Sequence, residues 1–152
     1  MKTLPFVRVV ALSLIALLLG PAASASAATA KLHHVAIQVS TSDPAVMNLA
    51  LNNVVNLTNY YEGIGDSVQI EVVAYGPGLN MFRDDKSPVK DRLKSIKESL
   101  PDVTFSACGV TKKAMEKAEG KTITIVPQAG LVPSGAVRLV QLQEEGWSYL
   151  RP

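Results

Sequence analysis

An α/β domain built on a parallel sheet, covered on both faces, is what this sequence predicts, on three observations. Along residues 32–150, apolar β-forming runs alternate with stretches of helical periodicity, the pattern of βα units. Residues 68–75 are apolar and rich in β-branched side chains, as in a strand buried on both faces. The chain has 152 residues, 47% of them hydrophobic, which suits one core and excludes a disordered chain. No linker, internal repeat or low-complexity stretch divides residues 28–152, which read as a single domain.

Residues 1–27 read as a secretory signal peptide. Lys2 and Arg8 supply the positive start, residues 9–19 are apolar, and Gly20 and Pro21 break the run. The small-residue stretch that follows offers A-x-A sites ending at Ala27 and Ala30; the first is preferred, and the second extends the segment to residue 30. At about eleven residues the apolar run is short of the twenty or so that span a bilayer. The mature protein is therefore expected in the periplasm or secreted, with no membrane association after processing. Loss of Lys2 and Arg8 from the 15 Lys and Arg leaves 13, level with the 13 acidic residues. A neutral chain without a basic face excludes nucleic acid as a partner.

The elements follow in order. Residues 32–40 are a strand with Val35, Ile37 and Val39 on one face. Asp43 caps a helix and Pro44 opens it, and Met47, Ala50, Leu51, Val54, Leu57 and Tyr61 recur at helical spacing up to Gly63 and Gly65. Residues 68–75 are the second strand, followed by a turn-rich loop over residues 76–80. Ser87 and Pro88 open a second helix carrying Val89, Leu93, Ile96 and Leu100. Residues 103–107 are a third strand ending at Cys108, and a short helix is expected from about Thr111. Residues 122–126 read as the fourth strand, residues 134–145 as the last helix and residues 147–150 as a final strand.

Candidate chemistry gathers at the carboxyl ends of the strands, where open parallel sheets build their sites. Cys108 is the one cysteine, so no internal disulfide can form. A free cysteine is often a small core residue; here the strand end and the helix start favour a reactive thiol, because helix amides stabilise the thiolate. The loop containing Tyr75, Gly76, Pro77, Gly78 and Asn80 occupies the equivalent end of the second strand, as a candidate ligand contact. Its glycines allow close backbone approach, but it carries neither dinucleotide nor P-loop spacing. His33 and His34 stand at the opposite sheet edge, away from Cys108, and their adjacency is poor metal-ligand geometry. Cleavage after Ala30 would expose Lys31-Leu32-His33, an amine–amide–imidazole set suited to copper(II) or nickel(II). Asn48, Asn52, Asn56 and Asn59 give the first helix an uncharged polar face, expected to take part in self-association.

Three motifs in this order resemble the DsrE/DsrF-like family. They are Ala74-Tyr75-Gly76-Pro77-Gly78-Leu79-Asn80-Met81, then Phe105-Ser106-Ala107-Cys108-Gly109, then the ending from Gln143 to Pro152 with Gly146-Trp147-Ser148-Tyr149. The likeness covers about residues 32–152. It implies a three-layer α/β/α domain with a five-stranded parallel sheet, assembled into homo- or hetero-oligomers such as trimers and hexamers. It also implies sulfur relay, with sulfur carried as a persulfide on a cysteine, and Cys108 is the position that matches. Two features depart from the resemblance. The relay members work in the cytoplasm, and Val110 stands where related sequences often carry asparagine.

The function expected from this reading is a periplasmic sulfur carrier, or thiol-based relay component, using Cys108. Gly109, Thr111 and the loop from Gly76 to Asn80 would shape its pocket. Partners are expected to be further copies of the chain, in a homo-oligomer such as a trimer or hexamer, and a sulfur donor or acceptor protein; no cofactor or metal is expected. The alternative from a different class is a non-catalytic oligomeric module holding a small ligand in the same crevice.

Overall fold

The computed structural model describes residues 29–152. The signal-peptide reading of residues 1–27 lies outside the described residues. Within them five strands and four helices alternate: β1 (Leu32–Val39), α1 (Pro44–Gly63), β2 (Ser67–Ala74), α2 (Lys90–Ser99), β3 (Thr104–Cys108), α3 (Gly109–Glu119), β4 (Ala129–Val132), α4 (Gly135–Glu144) and β5 (Ser148–Leu150). The strands form one parallel sheet in the order β4-β3-β2-β1-β5. The predicted α/β class is thus observed. No helix of the described residues is long and apolar enough to cross a membrane.

Topology follows from connection handedness. Three crossovers step in one direction from β1 to β4, and a right-handed crossover places its helix on a fixed face. α1, α2 and α3 therefore share one face, and the return to β5 beside β1 puts α4 on the other. Strand alternation sorts the side chains accordingly. Val35, Ile37, Ile70, Val72, Phe105 and Ala107 join the main core with Met47, Leu51, Leu93 and Ile96 from α1 and α2. Ala36 and Val73 point the opposite way and meet Leu139 and Leu142 of α4, with Tyr75 and Trp147 against them.

The start of α1 is as its sequence requires: the Asp43 carboxylate accepts the Ala45 N–H at 2.8 Å, and Pro44 begins the helix. Its asparagine face is partly used inside the chain. Arg92 of α2 donates to Asn48 Oδ1 at 2.6 Å and to Asn52 Oδ1 at 2.8 Å.

Three expectations change. Residues 122–126 are not the fourth strand; that strand is Ala129–Val132. Ile123 and Val126 are buried, which produced the strand-like pattern, but this segment turns across the segment 82–84 instead. Ile125 makes a lone antiparallel bridge to Arg83, and Val126 N–H donates to Phe82 O at 2.9 Å. The loop after β2 is a 3-10 helix, Gly76–Phe82. α3 begins at Gly109 rather than near Thr111, so Cys108 itself is the capping residue.

Candidate functional site: a thiol between two helix ends

Cys108 ends β3 and caps α3, and its Sγ accepts the Thr111 N–H at 3.4 Å. The alternation that sends Phe105 and Ala107 into the main core turns Ser106 and Cys108 toward the α4 face. There Gly135, the first residue of α4, lies against the cysteine. A Cβ at Gly135 would stand 3.2 Å from Cys108 Cβ and 2.9 Å from Tyr75 Cβ, closer than side chains pack. The sulfur is therefore held between the amino ends of two helices.

Two effects oppose each other at this thiol. Burial, with the residue 3% exposed, pushes its pKa up. Hydrogen bonds from the Thr111 side chain and from the Gly135, Thr111 and Val110 backbone favour the thiolate and prevail, holding the thiol below its ordinary value. Thr111 links this arrangement to the 3-10 helix, because its Oγ1 also accepts the Gly76 N–H at 2.9 Å. Gly76 sits at φ +53°, a left-handed conformation that side chains resist.

α3 buries none of its residues fully, and beside Met115, which packs on the main core, polar ties help to set its position. One is the Thr111–Gly76 bond at its amino end. Another is fully buried Arg83, just after the 3-10 helix, whose guanidinium reaches Glu119 at 2.5 and 2.9 Å and Asp85 at 2.9 and 2.8 Å. Arg83 in turn holds the Glu119 carboxyl down to about 2, with help from Lys86. Between α3 and the 3-10 helix runs an open, mainly apolar groove of about 490 Å³, lined by Pro77, Asn80, Val110, Thr111, Met115 and Ala118 among others. Asn80 Oδ1 is buried without a hydrogen-bond partner among the described residues.

The predicted site residues fall into three groups. Cys108, Gly109, Thr111 and Gly76 are brought together around the sulfur, with Tyr75 reaching the same place from the α4 side. Pro77 and Asn80 line the neighbouring groove instead. Gly78 is turned inward: a Cβ there would stand 2.2 Å from Val39 O, so this glycine serves the approach of the 3-10 helix to β1. Gly135 was absent from the sequence reading, although Ser134-Gly135 at a helix start was its signal.

The histidines lie at the other end of the sheet. His33 Nε2 is 3.0 Å from Asp66 Oδ2 and its ring stacks on Tyr61; the Lys31 N–H that a copper site would need donates to Asp66 Oδ1 at 2.8 Å. Among the described residues no group of three His, Cys, Asp or Glu is placed to hold a metal ion. The Thr111 side chain and helix amides, rather than a histidine base, thus favour ionisation of Cys108. Such a thiolate is a nucleophile for sulfur–sulfur exchange.

Comparison with known proteins matches this architecture. The model of the DsrE/DsrF-like family matches residues 23–152. The chain is similar to a solved protein of unknown function from Methanobacterium thermoautotrophicum, at 32% identity and a TM-score of 0.67. That likeness covers 79% of this chain and 99% of the other. No curated protein matches the chain.

Proposed function

Because the chain belongs to the DsrE/DsrF-like family, we propose that its sulfur-relay-related function is to carry sulfur as a persulfide on Cys108, in the periplasm or outside the cell. The observation that carries this reading is the convergence of the α3 and α4 amino ends on one sulfur. The thiolate attacks the outer sulfur of a polysulfide, or the sulfane sulfur of a thiosulfonate. A bond forms from Cys108 Sγ to that sulfur while the donor's S–S bond breaks. The electron pair leaves on the shortened polysulfide or on the sulfinate. A second thiolate then takes the outer sulfur and returns Cys108 to its starting state. At 3% exposure the cysteine suits a small sulfur species as donor better than a folded protein. Export is supported by the composition of residues 1–27 alone.

The test is the pH dependence of alkylation of reduced protein, with Cys108→Ser as the blank. An ordinary cysteine titrates near pH 8.5 or so. A lower midpoint, together with a mass gain of one sulfur at Cys108 after polysulfide treatment, is the expected result. Slow labelling at every pH overturns the reading. A second reading, a small-ligand module, is favoured by the open, mainly apolar groove between α3 and the 3-10 helix. Ligand affinity that survives Cys108→Ser would select it.

A further inference from the structure

The thiol site depends on where α4 begins, and the apolar packing of α4 does not by itself fix that place. Leu139 and Leu142 meet Ala36 and Val73 of the sheet, but such contacts have no direction and let a helix slide or roll. Beside α4, over β3 and β4, runs an open groove of about 660 Å³ lined by Ser106, Leu131, Val137 and Gln141 among others, so packing on that flank is incomplete. At the start of the helix Ser134 makes no side-chain capping bond.

A charged group of the sheet lies buried under α4 and takes no part in the sulfur chemistry. Glu71 of β2, 4% exposed, accepts from Arg138 Nε at 2.9 Å and from Arg138 Nη2 at 2.7 Å. This paired contact fixes direction as well as distance, because the guanidinium fork is planar. The Ser106 hydroxyl of β3 donates to the same carboxylate at 2.6 Å. Ser106 stands two residues before Cys108, on the same face of β3. Arg138 stands about one turn after Gly135 in α4. One carboxylate therefore holds both the strand that carries the sulfur and the helix whose first residue packs on it. Desolvation offsets much of the attraction in a buried ion pair, so what this pair supplies is position more than stability.

We infer that Glu71 and Arg138 are positioning residues for the thiol: the pair sets α4 against β3 and so keeps the Gly135 amide on Cys108 Sγ. The inference rests on the reading of Cys108 as an activated thiol, and adds residues that act through α4 rather than on the sulfur. Charge and position are separable. Removing both partners takes away one positive and one negative charge together, whereas α4 loses its hold. Arg138→Lys keeps the charge and loses the paired bonds. The other charged groups nearby stay unchanged in both variants: Lys112 and Lys113 in the first turn of α3, Glu116 bonded to Lys112 at 2.5 Å, and Glu145, 3.6 Å from Arg138 Nη1.

The test is the rate of iodoacetamide alkylation of the reduced full chain against pH, with a thermal melt of each variant. The wild-type midpoint is expected below that of an ordinary cysteine. In Glu71→Gln/Arg138→Met it is expected to rise by about one on the pH scale, as one hydrogen bond to the thiolate is lost. Arg138→Lys is expected to rise by less. Arg92→Met, which cuts the bonds to Asn48 and Asn52 on the far face of the sheet, is expected to leave the midpoint native. A native midpoint in the double variant, beside a lowered wild-type midpoint, overturns this inference and leaves the activated thiol standing, whatever the Tm does. If the double variant does not fold, a native midpoint in Arg138→Lys overturns it instead. A wild-type midpoint at the ordinary cysteine value overturns both.

Discussion

Replacing Thr111 by valine isolates what one hydroxyl does for the state of the sulfur. In the native site that hydroxyl accepts the Gly76 N–H at 2.9 Å and hydrogen-bonds Cys108 Sγ. Valine keeps the branched shape and removes both contacts. A hydrogen bond to a charged group contributes about 1.5–3 kcal/mol, and about 1.4 kcal/mol is a tenfold change in an acid constant. Loss of a donor to the thiolate raises the thiol pKa, so the alkylation midpoint moves up by about one to two on the pH scale. The Gly76 N–H loses its acceptor in a half-buried setting, which costs about 1 kcal/mol of folding stability. The assay is the rate of iodoacetamide alkylation against pH, with denaturant unfolding measured in parallel. Thr111→Ser restores the hydroxyl and is expected to restore the native midpoint. A native midpoint in Thr111→Val would refute the reasoning, and a stability loss without a shift would leave Thr111 as a structural tie alone.

Other perturbations separate packing from chemistry. Gly78→Ala drives a Cβ to 2.2 Å from Val39 O and 2.6 Å from Val39 C, both fixed backbone, so a loss of about 3 kcal/mol or more is expected in chemical denaturation. Gly135→Ala meets Tyr75 Cβ at 2.9 Å and Cys108 Cβ at 3.2 Å; pushing α4 back costs about 1–3 kcal/mol and raises the alkylation midpoint as the Gly135 amide withdraws. Acid should loosen the Arg83 network. Glu119 is lowered from 4.5 to about 2 in the fold, so its contribution is fully present above its unfolded value and is lost as pH falls through that window. Unfolding midpoints should therefore drop between about pH 4.5 and 2, and Arg83→Met should flatten that part of the profile.

Much of the fold was legible because local signals and tertiary roles agreed. Asp43 and Pro44 mark a helix start by capping chemistry alone, and the alternation of β1 survives because the core is divided between two faces. The fourth strand was misplaced because burial and pairing parted company: Ile123 and Val126 are buried beside the 82–84 segment, whereas Ala129–Val132 pairs in the sheet with a glycine and weak periodicity. Cys108, Gly76 and Thr111 could be nominated from strand ends. The bond from Gly76 to Thr111 could not, since it spans 35 residues and depends on β2 and β3 being neighbours. Gly135 was missed for the same reason. Its role exists only because α4 starts from β4, the strand next to Cys108.

One topological event accounts for both the site and the open groove beside α4. Had the chain continued to a strand beyond β4, a right-handed crossover would have placed α4 on the same face as α3. Cys108, whose side chain points to the opposite face, would then meet the start of its own helix and nothing else. Because the chain instead reverses and returns to β5 beside β1, α4 begins on the face that the thiol addresses, and its first amide reaches the sulfur. The same reversal leaves α4 alone on that face, too narrow to cover the whole sheet. The two-helix cradle and the open groove are thus consequences of a single change of direction. A chain with this strand order gains the cradled thiol only together with an open groove on the same face of the sheet.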